Sequence, residues 1–375
     1  MLELIIYALF AILTFALVFV AWKLNFAFSN FKIKKPLNLS NNTDELPSVS
    51  VCIPARNEMH AMTECLERVI ASNYPKLEII VLDDSSVDNT SVLIKSFAHA
   101  GVRFVEGSPL DKGWLGKNYA LQGLLNEASG TYVFYMDVDT QIAPDTISQL
   151  VAYLGAEDVQ MVSVLPRRED AWRASVVFGT LRYFWEVIFH RPAAPATASG
   201  AWMINRLTLI EEFNGFNDIK TDIQPESSLS SQLMQNGKYR FLIGTKKLGV
   251  AYEKKWRSQI DTSIRLAYPV FNQNKLFAGF GIVAQLMLLL PFVVLAIGDS
   301  VQFLVRVIAV SLAVGYIGLF AIYLAHVYRR GWWLSAIVWP LLIIQEFIIL
   351  VSSVILYSQN KVNWKGRPVS ISTDD

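Results

Sequence analysis

The sequence predicts an α/β domain set between membrane-spanning helices, and three observations carry that prediction. Apolar residues make 53% of the 375 and charged residues only 17%, against a charged share of about 25% in soluble domains. The apolar excess gathers in one run near the amino end and three near the carboxyl end. Between them, over residues 47–261, short β-type stretches alternate with longer helical ones, the rhythm of parallel βαβ units with right-handed crossovers. Such a composition excludes a disordered or fibrous chain. A net charge of +1 gives no overall field toward nucleic acid, and no nucleic-acid partner is expected. Two cysteines cannot build a disulfide framework; Cys52 and Cys65 each fall in an apolar stretch and are expected in the core.

Residues 4–22 are almost wholly apolar, with no charge between Glu3 and Lys23. A bilayer core takes about 20 such residues, so the run can span. It lacks the basic region before and the small-residue cleavage site after that a secretory signal carries, so an uncleaved anchor is expected. Lys23, Lys32, Lys34 and Lys35 follow, which places the next segment in the cytoplasm and the protein in the inner cell membrane. The other apolar runs cover residues 277–297, 303–327 and 332–357. Gly298-Asp299-Ser300 would be an external turn, and Arg329-Arg330 a cytoplasmic loop. A full span by the last run leaves Lys361, Lys365 and Arg367 outside, against the basic-residue bias. Pro340 and Gln345-Glu346 interrupt this run, so a re-entrant hairpin returning the tail stays open beside a simple span. Glu346, ionisable at membrane depth, is expected to be paired or functional. The expected division is an anchor (1–24), a linker (25–46, with a polar stretch over 38–45), the α/β domain (47–262), a membrane domain of three apolar segments (263–358) and a basic tail (359–375).

Within the α/β domain, strands are expected over 49–53, 78–82, 102–105 and 132–136, and helical runs over 64–70, 89–100 and 117–128. Ligands of such sheets bind beyond the carboxyl ends of the strands. There the first strand is followed by Pro54-Ala55-Arg56-Asn57-Glu58 and the second by Asp83-Asp84-Ser85-Ser86-Val87-Asp88-Asn89-Thr90. The strand ending at Met136 leads into Asp137-Val138-Asp139. Polar and acidic residues thus collect on one edge.

Asp137 and Asp139 at a strand end can chelate Mg²⁺ or Mn²⁺, whose shell water and substrate phosphates complete; a lone D-x-D is otherwise a common solvated turn. Asp83 and Asp84 are either turn formers or partners of a nucleotide; two adjacent acids closing a buried strand favour a base or ribose ligand at Asp83. Asp88 and Thr90 are expected to cap the next helix. Lys112-Gly113-Trp114-Leu115-Gly116-Lys117 opens a helix: the glycines allow close backbone approach, the helix start attracts anions, and the lysines add charge. Phosphate contact is favoured there over a plain surface loop. The four histidines show no metal-ligand spacing.

The three loops, in this order, resemble the successive signatures of inverting family 2 glycosyltransferases, which have the GT-A fold and use nucleotide-diphosphate sugars. The Gly113-Trp114-Leu115-Gly116-Lys117 box, the carboxyl-terminal apolar runs and Trp364-Lys365-Gly366-Arg367 resemble the membrane subgroup associated with hopanoid and carotenoid biosynthesis. The resemblance implies a Rossmann-like nucleotide-sugar-binding domain. It implies that Pro54, Ala55, Arg56, Glu58, Asp83 and Asp84 bind the nucleotide of a UDP- or GDP-type donor, with Lys112, Gly113, Trp114 and Lys117 near its phosphates. Asp139 would hold the metal and Asp137 assist with ribose or metal. It also implies a catalytic base beyond an acceptor loop, in a Glu-Asp pair followed two residues later by leucine. This chain has Pro225-Glu226-Ser227-Ser228-Leu229, so Glu226 stands where the aspartate is expected, with Asp222 as a nearby substitute. A glutamate can deprotonate a hydroxyl, but one methylene changes its reach.

No Gln-x-x-Arg-Trp string occurs, which argues against a processive polysaccharide synthase. Trp256-Arg257 and Arg265 either bind diphosphate or anchor at the membrane interface. Residues 172–190, rich in aromatics and arginines, form either an interfacial amphipathic helix or a core helix. The resulting expectation is an inverting transfer to a lipid acceptor such as a polyisoprenoid, carotenoid, hopanoid or glycerolipid. A polysaccharide synthase and a non-catalytic binding module are the rivals. Sugar, nucleotide base, acceptor and oligomeric state are not legible.

Overall fold

A computed structural model describes residues 2–34, 42–170, 173–297 and 302–369. Lys35, residues 38–41, Trp172, Gly298-Asp299-Ser300 and the tail after 369 lie outside them. The chain divides into two units: a sheet unit of Phe31–Arg168, His190–Glu253 and Lys365–Asp375, and a helical unit of Met1–Asn30, Glu169–Phe189 and Lys254–Trp364.

In the sheet unit, aliphatic runs with no exposed face become central strands, because a parallel strand is covered by helices on both sides. β1 (Val49–Ala55), α2 (Met59–Ile70), β2 (Leu77–Asp83), α3 (Thr90–Ser96), β3 (Val102–Glu106), α4 (Gly116–Glu127) and β4 (Tyr132–Met136) alternate as expected. β1 pairs in parallel with β2 and β4, and β2 with β3. Then follow β5 (Thr140–Gln141), α5 (Thr146–Ala156), β6 (Met161–Leu165), β7 (Arg167–Arg168), β8 (Ala201–Asn205), α8 (Arg206–Glu211), α9 (Pro225–Gln235), β9 (Tyr239–Ile243) and β10 (Ala251–Tyr252). The main sheet has the order β3-β2-β1-β4-β8-β6-β9, and β5-β10-β7 form a smaller one. β8 runs antiparallel to both β4 and β6. It seats Trp202, 1% exposed, against the Tyr135 ring at 4.4 Å. Cys52 and Cys65 are free thiols in the core, as their apolar setting predicts.

Glu78 ties the amino ends of three strands together. Its carboxylate accepts hydrogen bonds from Ser50 Oγ, from Ser129 N at 2.6 Å and Oγ at 3.0 Å, and from Gly130 N at 3.2 Å. Burial alone would raise its pKa, but these bonds and Arg103 hold it below the ordinary value. A depressed carboxylate stabilises the fold above its unfolded pKa of about 4.3, and that contribution is lost as pH falls through the folded value. Glu78→Gln is therefore expected to cost about 1–2 kcal/mol at neutral pH, discounted for partial exposure. Thermal unfolding of the two proteins should converge at acid pH; a constant difference would disprove the assignment.

The helical unit contains α1 (Leu2–Asn30), α6 (Ala174–Val177), α7 (Arg182–Phe189), α10 (Trp256–Ala267), α11 (Lys275–Ile297), α12 (Phe303–Val327), α13 (Trp332–Ile337) and α14 (Trp339–Ser358). Four of these, α1, α11, α12 and α14, are long and apolar enough to cross a membrane. α1 lies on α12, where Tyr316 Oη donates to Leu13 O at 2.7 Å and Phe28 stacks on His326 at 3.8 Å. The described part of 172–190 forms two short helices; α7 buries Phe184 among Phe320, Tyr323 and Trp339 and leaves Phe189 exposed.

The last apolar run contains no re-entrant hairpin. Pro340 opens α14 instead of breaking it, since a proline in the first helical turn loses no hydrogen bond. Gln345 and Glu346 satisfy the backbone between α6 and α7. Gln345 Nε2 donates to Phe178 O at 3.2 Å, and Glu346 Oε1 accepts from Leu181 N at 2.9 Å. Of the two expectations for Glu346, pairing is the one the structure shows.

Candidate active site

The loops after β1, β2 and β4 lie side by side because those three strands are neighbours in the sheet. Asn57, in the left-handed region at φ 53°, turns the chain so that its side chain and backbone bond the second loop. Its N–H donates to Ser86 Oγ at 2.9 Å, and Val87 N donates to its Oδ1 at 2.9 Å. Glu58 N donates to Thr90 Oγ1 at 2.9 Å. Asp88 accepts from Thr90 N at 3.0 Å and from Met59 N at 3.4 Å, so it serves the first turns of both α3 and α2. The N-cap of α3 is Asn89, with no side-chain cap bond, so Asp88 serves that helix from the preceding position, and the Thr90 hydroxyl serves Glu58 instead of its own helix.

Asp83 and Asp84 are each 4% exposed. Asp83 accepts from Ser86 Oγ and N on one oxygen and from Ser91 Oγ on the other, so the loop's serines orient it. Arg56 donates to Asp84 O and lies 3.9 Å from its carboxylate. Burial pushes the Asp84 carboxyl above its ordinary value, against the pull of Arg367 and Arg56.

Asp137 follows β4, its N–H donating to Gly200 O at 3.0 Å. Thr140 Oγ1 donates to the same carbonyl at 2.8 Å, which fixes the Asp137–Asp139 turn against the start of β8. Lys117 Nζ reaches Asp137 Oδ1 at 3.1 Å. Burial, then Asp139, Glu58 and Asp137, push the nearby Cys65 thiol up, so these carboxylates act on one neighbourhood. Among the described residues no three His, Cys, Asp or Glu side chains gather into a closed metal cage. The pair is an open site of hard oxygen donors that already attracts an ammonium group, and it fits a divalent cation whose remaining positions go to other ligands.

α4 starts at Gly116, and its N-cap Leu115 supplies no side-chain acceptor for the first amides. Lys117 is drawn inward, 15% exposed, whereas Lys112 stays on the surface. Gly113 adopts φ 82° ahead of Trp114, a conformation that suits glycine. The same helix carries a residue that residue-type patterns do not single out. Asn118, 1% exposed, donates to Ile219 O, Lys220 O and Asp222 O at 2.9, 3.1 and 2.8 Å. It thereby pins the segment leading to α9. Gln122 adds a bond from Phe216 N at 2.8 Å.

Glu226 lies in the first turn of α9, after Pro225, and is 1% exposed. Asp222 is half-buried, its carboxylate accepting from Ser228 Oγ. Pro54 and Ala55 end β1. Arg257 is an exposed residue of α10, in the helical unit. In that unit Trp256 Nε1 donates to Gln345 Oε1 at 3.2 Å and Arg265 lies over the Trp364 ring at 5.5 Å.

Residues 50–191 match the family model described as Glycosyl transferase family 2. Curated relatives include undecaprenyl-phosphate 4-deoxy-4-formamido-L-arabinose transferases. That of Proteus mirabilis is 32% identical over 133 residues, covering 34% of this chain and 40% of the relative. That of Aeromonas hydrophila is 35% identical over 143 residues, covering 35% and 41%. The probable glycosyltransferase YdaM of Bacillus subtilis is 34% identical over 118 residues, 30% of this chain and 27% of that protein. The chain thus spans about two fifths of the length of the first two relatives. Among solved structures, the mannosyltransferase PcManGT from Pyrobaculum calidifontis, in complex with GDP-Man and Mn²⁺, superposes with a TM-score of 0.58. It is 19% identical and covers 96% of this chain and 100% of its own. The fold is that of the GT-A glycosyltransferases, and the similarity to family 2 glycosyltransferases is confined to residues 50–191.

Proposed function

We propose that the protein is a membrane-bound, inverting glycosyltransferase that moves a sugar from a nucleotide-diphosphate donor to a lipid acceptor. The observation that carries this reading is the assembly of Arg56, Asp83, Asp84, Asp137, Asp139 and Lys117 at one sheet edge, in a chain with four membrane-length apolar helices. The relatives named for undecaprenyl-phosphate transfer support a lipid acceptor, and the solved complex with GDP-Man and Mn²⁺ supports the donor class. Arg56 and the loops after β1 and β2 would hold the nucleotide. Asp137 and Asp139 would hold Mg²⁺ or Mn²⁺, which when bound supplies positive charge to the leaving diphosphate. Lys117 would add to that charge from the start of α4. Glu226 would accept the proton of the acceptor hydroxyl as its oxygen bonds to the anomeric carbon. The carbon–phosphate-oxygen bond breaks on the opposite face, and a single displacement inverts the configuration. Asn118 would position the segment that carries the base.

The test is transfer from a panel of nucleotide sugars into total membrane lipids by the purified protein in detergent with Mn²⁺. Metal-dependent label in the lipid fraction is expected. Donor binding without turnover across the panel would favour a binding module.

For topology, we infer that the sheet unit is cytoplasmic, on the side of Lys23, Lys32 and Lys34. Residues 31–34 and 365–369 belong to one folded unit, so the chain between them returns to the side it left. Within the helical unit, Ser353 Oγ donates to Ile264 O at 2.5 Å and Tyr357 Oη to Arg265 O at 2.7 Å. Both native cysteines are buried, so single cysteines at Lys34 and Lys361 can be labelled with an impermeant maleimide. Both are expected to react in inverted vesicles only; labelling from opposite faces would overturn this topology.

A further inference from the structure

We propose that the carboxyl-terminal segment 365–369 belongs to the donor site, with Lys365 and Arg367 as positioning residues for the loops that hold the nucleotide. This deepens the glycosyltransferase reading and rests on it. Arg367 Nη1 donates to Asp84 Oδ2 at 2.8 Å. Lys365 Nζ donates to Arg56 O at 2.8 Å and to the Glu58 carboxylate, and Arg56 Nε donates back to Lys365 O at 3.2 Å. One short segment thus grips the loop after β1 and the loop after β2 together.

Lys365 and Gly366, at φ 47° and 82°, are simply the two residues of the tight turn before Arg367, which suits positive φ at both positions. One further observation shows that the segment is fitted to this place. At Gly116, a Cβ would stand 2.8 Å from Arg367 Nη1, so the first residue of α4 is one that lets the guanidinium pass against it. Arg367 therefore lies between Asp84 and the turn that carries Lys117.

Charge explains why the site needs the segment. Glu58, Asp83, Asp84, Asp137 and Asp139 place five carboxylates on this edge, where Arg56 and Lys117 already pair with Asp84 and Asp137. Carboxylates gathered in this way repel an approaching nucleoside diphosphate. Lys365 and Arg367 offset part of that repulsion through Glu58 and Asp84.

The experiment measures binding of UDP and GDP, each with Mn²⁺, to the full chain in detergent by titration calorimetry, together with donor KM and kcat. Lys365→Ala/Arg367→Ala is expected to weaken diphosphate binding by about tenfold or more, and Arg367→Ala to raise donor KM with kcat changed less than about threefold. Arg367→Lys should recover part of the affinity. Arg367→Gln keeps length and hydrogen bonding without charge, so it reports on the charge even if the alanine variants lose their thermal transition; it should bind weakly, with a shallower salt dependence than the wild type. Unchanged affinity in Arg367→Gln and the alanine variants would overturn the inference, and tighter binding would make the segment a blocking one. Failure of the wild type to bind either nucleotide would instead sink the underlying reading.

Discussion

In the Asp139→Ala variant, sugar transfer is expected to fall by on the order of 10³-fold or more, because the leaving diphosphate loses the charge that Asp139 helps to hold in place. The turn that carries it is fixed by the Asp137 N–H and the Thr140 hydroxyl, which both donate to Gly200 O, so the substitution leaves the loop's frame standing. The mutant should keep its thermal transition while its dependence on Mn²⁺ concentration disappears. Single-turnover transfer across a metal titration checks this. A variant that retains wild-type turnover would show that Asp139 does not serve the metal. Lys117, paired with Asp137 at 3.1 Å, supplies only one fixed charge and should not rescue it.

Glu226→Gln is expected to lower kcat by about 10²–10⁴-fold with donor affinity unchanged, the signature of a lost general base. Glutamine keeps the volume of a side chain that is 1% exposed at the start of α9, so folding is not the cause. Glu226→Asp should retain more activity than Glu226→Gln, since it keeps the carboxylate and alters only its reach. Asp222→Asn is the control: its carboxylate is occupied by Ser228 Oγ, and a loss confined to Asp222 would move the base there. Equal turnover in all three variants would remove Glu226 from the chemistry.

The first half of the sheet was legible because local signals agree there. Uninterrupted Val/Ile runs form β1 and β2, and acidic loops close them, so strands, helices and edge residues follow from the order of the residues. β8 was not legible. Ala201–Asn205 is apolar like the parallel strands, and nothing in its residue types marks its antiparallel direction. The hairpin considered for residues 332–357 rested on Pro340 and Gln345-Glu346, polar interruptions whose partners, Phe178 and Leu181, are far away in sequence. Asn118 was hidden for the same reason: a buried asparagine is identified by the carbonyls it meets, and Ile219 to Asp222 come about a hundred residues later. The tail was visible as a basic cluster, but nothing local pairs Arg367 with Asp84.

That pairing sets an order of events during synthesis. Lys365 and Arg367 leave the ribosome after all four apolar helices, whereas the loops they grip are translated before three of them. Strands β1 to β4 can condense early from local βαβ contacts. Its nucleotide edge waits for contacts spanning almost 310 residues, which are slow to form because the loop they close is long. A chain that stops before Lys365 would therefore present an unfinished edge, however complete the rest of its sheet.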